Sequence, residues 1–311
     1  MRKGESVKER IIVFGAGEKL DSMIKNGQLD NYEIVAIVDS DTMKQKESRY
    51  GHDIKKPEEI HKLDYDKIII SSERHYDEIK AMLIDEFKIP LTRIGEKTWN
   101  KYMNELDYWK IQYQREGGFN NSHYKNLMLA IAEEENDDFW KNKVVADFGC
   151  GPRGSLSWTK TPAVKLGIDV LAGQYMKNFG DELSKHDMIY VVSDEKRIMI
   201  PDSYVDYLLT MNSLDHVDNM ELMVSEILRI LKPGGKLLAS FNLNEPSTEC
   251  EPQTLTEELL KEHLLKYFKI DSYRMAFRDN KHTYRNMLNN QLISESDNGK
   301  PVVLWVKGEK L

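Results

Sequence analysis

The residues with the clearest capacity for chemistry lie between Asp147 and Gly154, in the stretch DFGCGPRG. Gly149, Gly151 and Gly154 follow an apolar run with the spacing G-x-G-x-x-G. A glycine-rich turn between a strand and a helix lets a ligand approach the backbone closely, and it presents the amides of a helix N-terminus. Several nucleotide-type cofactors bind to such a turn, so the neighbouring residues must indicate which one binds here.

Asp147, two positions before Gly149, indicates the charge of the ligand. A carboxylate at the carboxyl end of a strand suits a cofactor with an ammonium group and would repel a pyrophosphate. Pro152 removes one amide that a phosphate would use. The loop therefore favours an ammonium-bearing cofactor over a dinucleotide; in the alternative interpretation, Asp147 caps a helix or forms a salt bridge. Cys150 is interpreted as a small residue of the loop rather than as a nucleophile.

The first hundred residues form a separate pattern of strands and helices. Continuous apolar runs separated by helical patterns predict a small Rossmann-like domain, whose parallel sheet is covered on both faces. Its glycine turn has only Gly15 and Gly17, because Leu20 occupies the third glycine position. The predicted strands are Arg10–Phe14, Tyr32–Asp41, Asp66–Ser72 and Leu91–Ile94, and the predicted helices are Glu18–Lys25 and His75–Phe87.

A charged and aromatic stretch separates this unit from a second alternation of strands and helices. We predict domains at residues 1–97 and 141–311, with a helical linker or lid at residues 98–140 and a turn at Gly117–Asn121. The second domain contains seven strand patterns, which predict an α/β chain with two Rossmann-like domains. These patterns cover Val144–Phe148, Val164–Asp169, Met188–Val192, Val205–Met211, Lys236–Asn242, Phe268–Ala276 and Val302–Lys307.

Two helices of the second domain carry recognisable end signals. The helix Met220–Leu231 is predicted to stop at LKPGG. A later helix over Leu255–Tyr267 is predicted to open at Thr254, with Glu257 completing a capping box. No apolar run approaches the roughly 20 residues that span a bilayer.

Five segments in order resemble the class I S-adenosylmethionine-dependent methyltransferases. The resemblance covers roughly the second half of the chain, and it implies a seven-stranded sheet with an antiparallel edge and S-adenosylmethionine as the cofactor. Asp169, in the second segment, lies about twenty residues beyond the glycines, the spacing of a ribose-binding acid. The segments are Val144–Gly154, Gly167–Asp169, Ser193–Glu195 with Ile200–Asp202, Tyr204–His216 and Glu226–Gly235.

The resemblance also assigns roles to single residues. Asp169 would bond the ribose hydroxyls, and Asp194 and Glu195 belong to the segment that reads the adenine edge. In that segment, the gap between the acid and the proline departs from the commonest form of the family. The cofactor-binding residues implied are Asp147, Gly149, Cys150, Gly151, Pro152, Asp169, Asp194, Glu195, Asn212 and Leu214.

The acceptor in this family attacks an activated methyl group in line, and a hydroxyl acceptor also needs a base. His216 and Asp215 follow the fourth strand, where ligands bind in open α/β sheets, and they are the predicted catalytic residues. His216 is alternatively a structural residue. Further candidates are His123 and Tyr124 ahead of the domain, and Glu245, Glu249 and Glu251 after the fifth strand; packing or solvation is the alternative for each.

The segments GCGPRGSL, NSLDHVDN and NEPSTECEPQTLTEE resemble methyltransferases of bacterial surface polysaccharides and related sugar modification. Ile11–Asp39 resembles nucleotide-binding modules of polysaccharide-biosynthesis proteins. Asp39 could hold a ribose or could merely end its strand. For the N-terminal domain, we expect docking or substrate presentation rather than redox chemistry.

The composition of the chain limits the classes of substrate and cofactor that we expect. The 311 residues carry a formal net charge of −8, which argues against a nucleic-acid substrate and therefore against RNA methylation. Cys150 and Cys250 are the only cysteines, so we expect no disulfide framework, no metal site and a cytoplasmic location. The N-terminus shows no secretory leader pattern. A homodimer is one possible assembly.

The favoured function is methyl transfer to a small molecule or glycan: a sugar, a nucleotide-sugar or a polysaccharide intermediate. Two alternatives come from other functional classes. An NAD-linked oxidoreductase would use the N-terminal unit, and a non-catalytic nucleotide-binding scaffold would hold the cofactor without turnover.

Overall fold

The computed structural model describes residues 8–25, 27–72, 74–95, 97–248, 250–295 and 299–311. The chain divides into two compact units, Met1–Asp107 and Tyr108–Leu311. The strands are β1 (Glu9–Phe14), β2 (Tyr32–Val38), β3 (Ser48–Arg49), β4 (His52–Lys55), β5 (Lys67–Ile70), β6 (Val144–Phe148), β7 (Val164–Asp169), β8 (Ile189–Val192), β9 (Val205–Met211), β10 (Leu231–Leu243), β11 (Phe268–Phe277) and β12 (Val302–Lys310). The α-helices are α1 (Glu18–Lys25), α2 (Tyr76–Asp85), α3 (Lys97–Glu116), α4 (His123–Ala132), α5 (Ala172–Leu183), α6 (Met220–Ile230), α7 (Glu257–His263) and α8 (Arg285–Leu288).

The sheet of the N-terminal unit has the strand order β3-β4-β2-β1-β5. β1 is parallel to β2 and β5, β2 is parallel to β4, and β3 is antiparallel to β4. Successive side chains of a strand point to opposite faces. Ile11 and Val13 lie in one buried cluster, whereas Ile12 and Phe14 lie in another. Both faces are therefore covered, as the continuous apolar run predicts.

The predicted strand Leu91–Ile94 is wrong. Leu91–Arg93 is a 3-10 helix, and Ile94 makes one isolated parallel bridge with Ile68. The N–H groups of Arg93 and Ile94 donate to carbonyls three residues earlier, so the backbone turns where the apolar residues suggested an extended run. The strands β3 and β4 were not predicted, because their sequences, SR and HDIK, are short and mostly polar.

The C-terminal unit is built on a seven-stranded sheet with the order β11-β12-β10-β9-β6-β7-β8. β12 runs antiparallel to both β10 and β11, and β6 is parallel to β7 and β9. This confirms the predicted fold class with its antiparallel edge. The strand order reverses between β6 and β9, and ligands bind outside the carboxyl ends of strands at such a point.

Apolar clusters cover both faces of this sheet. Met223, Val224 and Ile227 of α6 pack into one cluster, and Leu127 and Met128 of α4 pack into the other. In the described part of the chain, no helix combines the length and the apolar character that a bilayer span requires.

The predicted opening of the later helix is wrong by two residues. Thr256, not Thr254, is the N-cap of α7, and its hydroxyl accepts the N–H of Leu259 at 3.1 Å. The carbonyl of the buried Leu255 accepts the N–H of Asn244 at 2.9 Å, so this residue joins the loop after β10 instead of the helix. The helix also ends earlier than predicted, at His263.

Candidate functional site

The glycine loop leaves β6 at the centre of the sheet. Gly149 has a φ of +70°, and a Cβ there would lie 2.2 Å from the Cβ of Ser213. Gly154 has a φ of +74°, and its Cβ would lie 2.4 Å from Cγ of His186. The loop backbone therefore packs directly against the segment after β9 at Gly149 and against the segment before β8 at Gly154, and only glycine permits such close contact at a positive φ.

Asp147 is buried beside this loop with one side-chain oxygen unpaired. The Ser155 hydroxyl donates a hydrogen bond to Oδ2, whereas Oδ1 is buried and has no hydrogen-bond partner among the described residues. Burial raises the pKa of Asp147 to about 7, although the Ser155 hydrogen bond lowers it. An unpaired buried oxygen costs free energy. Oδ1 of Asp147 fits the ammonium group of a bound ligand, because that group would donate the hydrogen bond that Oδ1 lacks.

Asp169 ends β7 and connects it to the glycine loop. Its Oδ2 accepts the N–H of Gly151 at 3.0 Å, and its Oδ1 accepts the N–H of Leu171 at 2.8 Å. Asp169 therefore fixes the loop in place, and its role toward a ribose stays a prediction. Cys150 and Pro152 are both buried in the loop. Burial raises the pKa of the Cys150 thiol, which disfavours the thiolate.

Asp194 and Glu195 organise the segment that follows β8. Oδ1 of Asp194 accepts the N–H groups of Lys196 at 2.7 Å and of Arg197 at 2.6 Å. Glu195 accepts the N–H of Asp218 at 3.1 Å. Both carboxylates thus have structural partners, and their predicted adenine contact stays a prediction.

Asn212 and Leu214 lie in the segment after β9 that meets the glycine loop. Asn212 has a φ of +51°, and its Nδ2 donates to the Tyr284 hydroxyl at 2.7 Å. The Ser213 hydroxyl donates to the Gly149 carbonyl at 3.2 Å. The Leu214 side chain is fully buried in the apolar core. The predicted motifs that follow β6 and β9 are therefore in contact, through a hydrogen bond from the Ser213 side chain to the backbone of Gly149.

Asp215, His216 and Glu251 form a polar cluster at the same edge of the sheet. One ligand-type atom from each lies within 4.8 Å of the others, and Nε2 of His216 is 3.8 Å from Oε1 of Glu251. Burial raises the pKa of Asp215; the nearby His216 lowers it, and Glu251 raises it further. Sequence reasoning named all three residues without placing Glu251 beside the other two. Of the remaining acids, Glu245 pairs with Arg278, and Glu249 lies outside the described residues.

Tyrosines around Asp147 are a feature that the sequence barely indicated. Tyr124 of α4 is partly enclosed; burial, and next the Asp147 carboxylate, raise the pKa of its phenol. Burial similarly raises the pKa of Tyr190, whose hydroxyl lies 2.6 Å from Nδ1 of His186. His123 is exposed and stacks against Tyr124. The apolar face of α4 beyond Tyr124 is the one signal that could have placed this ring inward.

The end of α3 and the following turn pack on the glycine loop. Both guanidinium NH groups of Arg153 donate to the Glu116 carboxylate at 2.6 Å, and one also donates to the Asn120 carbonyl at 2.8 Å. The same guanidinium lies 5.4 Å from the ring centre of Trp109. The hydrogen bond from Arg153 lowers the pKa of Glu116 to about 2, so this clamp stays ionised at neutral pH.

The N-terminal unit has its own cavity, of about 420 Å³, at the carboxyl ends of β1, β2 and β5. Asp39 in its wall accepts the N–H of Ala16 at 2.7 Å and the Lys44 ammonium at 3.0 Å. Burial opposes ionisation of Asp39, but these hydrogen bonds and one from Asp41 lower its pKa overall. The Asp39 side chain thus has partners within the protein, and Leu20 is fully buried at the third glycine position.

Two family models match the chain. Residues 7–95 match the model described as C2185-like, N-terminal, and residues 146–239 match the model described as methyltransferase domain. No curated protein matches. The second model covers the glycine loop, Asp169 and the segment with Asp215 and His216. The C-terminal unit thus carries a methyltransferase domain, and its cofactor is S-adenosylmethionine.

Solved structures resemble the chain at low sequence identity. One such structure is the complex between the Haloferax volcanii Trm112 methyltransferase activator and a protein described as a methyltransferase. The matched chain is 18% identical, with a TM-score of 0.47, and the match covers 66% of this chain and 97% of that one. A Thermotoga maritima protein described as a "possible histamine N-methyltransferase" is 15% identical, with a TM-score of 0.45 over 68% and 100%. A Mesorhizobium loti S-adenosylmethionine-dependent methyltransferase is 15% identical, with a TM-score of 0.41 over 58% and 96%. These likenesses carry no argument about the acceptor.

Proposed function

We propose that this methyltransferase transfers the methyl group of S-adenosylmethionine to a hydroxyl group of a sugar, a nucleotide-sugar or a glycan intermediate. The observation that carries the proposal is the cluster of Asp215, His216 and Glu251 next to the glycine loop. A hydroxyl is a poor nucleophile until its proton is removed, and polar groups at this edge could assist that removal. The negative net charge and the resemblance to polysaccharide methyltransferases support an uncharged or sugar-like acceptor over a nucleic acid.

The cofactor side of the proposal assigns a task to each part of the glycine loop. Asp147 would accept a hydrogen bond from the cofactor's ammonium group through its unpaired Oδ1. The loop backbone, held by Asp169, would give the cofactor close access, and Tyr124 would enclose it. When bound, S-adenosylmethionine supplies an activated methyl group, so alignment and exclusion of water remain the main work of the protein.

The acceptor side uses the edge of the sheet beyond β9. Asp215 is buried, whereas His216 and Glu251 are partly exposed and can reach a substrate. We propose that Asp215 and His216 act on the acceptor hydroxyl. Changes at these residues should reduce turnover more than they reduce cofactor affinity.

Calorimetry and an activity screen test the function in two stages. The full chain should bind S-adenosylhomocysteine with micromolar affinity or better, and Asp147→Asn should weaken this binding. A labelled methyl donor with a panel of sugars, nucleotide-sugars and glycan extracts should then give a labelled product, identified by mass spectrometry. Binding without any labelled product would support the scaffold alternative, and absence of binding would contradict the proposal.

The N-terminal unit is proposed to dock or present the substrate. Its cavity has a suitable volume for a small polar ligand, but Leu20, which is buried at the third glycine position, disfavours NAD. Stoichiometric NAD binding that a Gly15→Val change abolishes would support the oxidoreductase alternative instead. Action in the cytoplasm is part of the proposal and is supported by the low cysteine content.

A further inference from the structure

We propose that Asp215, His216 and Glu251 bind a divalent metal ion, and that this ion holds the acceptor through two neighbouring hydroxyl groups. The metal site follows from the side chains alone. Its role in methyl transfer rests on the proposed function, which it deepens by naming the substrate class: compounds with a vicinal diol.

The spacing of the three side chains fits a metal ion. One ligand atom from each residue lies within 4.8 Å of the others. Ligands about 2.1 Å from an ion are separated by roughly 3 to 4 Å, so small side-chain movements would close the site. Two carboxylates with one neutral imidazole also balance the charge of a divalent cation. This mixed oxygen and nitrogen donor set suits first-row divalent ions such as Mn²⁺.

Asp215 supplies a second, independent observation. The residue is only 6% exposed, and its Oδ1 is buried without a hydrogen-bond partner among the described residues. Such an oxygen is costly in a folded protein unless a ligand satisfies it. A metal ion between Asp215 and its two neighbours would do so, because a carboxylate oxygen needs no donor hydrogen when it coordinates a cation.

The loops that carry the cluster are held together before any ion binds. The N–H of Gln253 donates to the Asp215 carbonyl at 3.1 Å. The side-chain amide of Gln253 donates to the Val217 carbonyl, also at 3.1 Å. The loop after β10 is therefore fastened to the segment after β9, which keeps Glu251 within reach. Because His216 and Glu251 are partly exposed, coordination positions remain accessible from solvent.

The chemistry balances without an oxidant or reductant. The acceptor O–H, made more acidic by the cation, releases its proton to water. The oxygen then forms the new O–C bond, while the C–S bond breaks and its electron pair stays on the sulfur of S-adenosylhomocysteine. In this scheme Asp215 and His216 act on the acceptor hydroxyl through the ion that they hold, and water rather than a side chain takes the proton.

Mn²⁺ binding to the full-length, EDTA-treated protein tests the site directly. Electron paramagnetic resonance and calorimetry should show one bound Mn²⁺, and Glu251→Gln should weaken binding by at least about tenfold. Glu245→Gln is the matched control, because this carboxylate lies in the same loop but pairs with Arg278. Glu251 is partly exposed, so its variant should fold; the undisturbed affinity for S-adenosylhomocysteine verifies this. Absence of Mn²⁺, Mg²⁺ and Zn²⁺ binding, or equal affinity in the two variants, would overturn the site.

Activity separates this inference from the proposed function. If Mn²⁺ binds but no hydroxyl compound is methylated, the proposed function fails while the site stands. If sugar methylation continues at an unchanged rate in EDTA, the metal role fails while the function stands. If both hold, EDTA should abolish methylation, added Mn²⁺ should restore it, and acceptors with a single hydroxyl should react far more slowly than vicinal diols.

Discussion

Asp147 is the residue on which the proposed cofactor site depends most. Its carboxyl group is buried, one oxygen lacks a hydrogen-bond partner among the described residues, and burial raises its pKa to about 7. Near neutral pH, the cofactor-free protein therefore holds a mixture of protonated and ionised Asp147. A buried oxygen without a partner is costly, and we propose that the ammonium group of the cofactor satisfies it. This leads to two predictions with opposite signs.

Cofactor affinity should rise with pH through about 7, because the ammonium group binds the ionised form of Asp147. We expect S-adenosylhomocysteine to bind roughly tenfold more weakly at pH 6 than at pH 8. Calorimetry at several pH values measures this. Asp147→Asn should show weak affinity with a much flatter profile, and an equally flat wild-type profile would contradict the prediction.

The stability of the cofactor-free protein should change in the other direction. The folded pKa of Asp147 lies above the unfolded value, so the folded state binds the extra proton, and stability falls as pH rises from about 4 to about 7. The loss is at most about 4 kcal/mol. Asp147→Asn should therefore raise the Tm at pH 8 by several degrees, with a smaller gain at pH 5. An unchanged Tm at pH 8 would show that Asp147 is not strained.

At the scale of the elements, the glycine loop and the caps of helices fix where side chains lie. The loop after β6 contacts the segment after β9, and the end of α3 is clamped to it by Arg153 and Glu116. These contacts depend on single backbone positions. Substitutions with nearby matched controls can therefore test them.

Gly149→Ala should destabilise the protein far more than Gly117→Ala. Both glycines have a positive φ, of +70° and +67°, so both changes carry the left-handed strain of about 1 to 2 kcal/mol. Only at Gly149 does the new Cβ collide with Ser213, which adds about 1 to 3 kcal/mol of overpacking. Urea unfolding of the two variants gives the difference. Equal losses would mean that the β9 segment moves away without cost.

Thr256→Ala should cost about 1 kcal/mol of unfolding free energy, because its hydroxyl accepts the N–H of Leu259 at the start of α7. Thr254→Ala, two residues earlier and exposed, should change stability by less than about 0.5 kcal/mol. The same unfolding measurement compares them. A larger loss at Thr254 would restore the helix start that the sequence pattern favoured.

At the scale of the whole molecule, each compact unit has its own buried core. The apolar clusters of the N-terminal unit lie within residues 11–94, and those of the C-terminal unit lie within residues 124–306. The predicted cofactor-binding residues all belong to the C-terminal unit. Ligand binding should therefore stabilise one unit and leave the other unchanged.

Scanning calorimetry should resolve two unfolding transitions, and S-adenosylhomocysteine should shift only one of them upward. At a ligand concentration about 100 times the Kd, the stabilisation is about 2.7 kcal/mol. Proteolysis during heating would identify which unit each transition belongs to. A single transition, or an equal shift of both, would contradict independent units.

The sequence by itself determined three neighbouring strands of the C-terminal sheet and the glycine loop that follows β6, whereas β10 begins five residues before its predicted start. The bounds of β6, β7 and β9 match their predictions to the residue, because a strand buried on both faces is a short apolar run that is legible locally. The glycine spacing and Asp147 could be read from the sequence as well, because both are local patterns next to a strand. The prediction of a strand at Leu91–Ile94 was wrong, because a short apolar run after a proline can also form a turn of 3-10 helix.

Only the tertiary structure decided which distant side chains meet. Glu251 lies 35 residues after His216, and Tyr124 lies 23 residues before Asp147, yet each pair is brought together. The N-cap of α7 likewise depends on Leu255 pairing with Asn244. Such contacts depend on how loops close over the ends of β6, β9 and β10. Loop closure is set by the packing of the whole unit rather than by any local pattern, so the sequence named these residues without placing them.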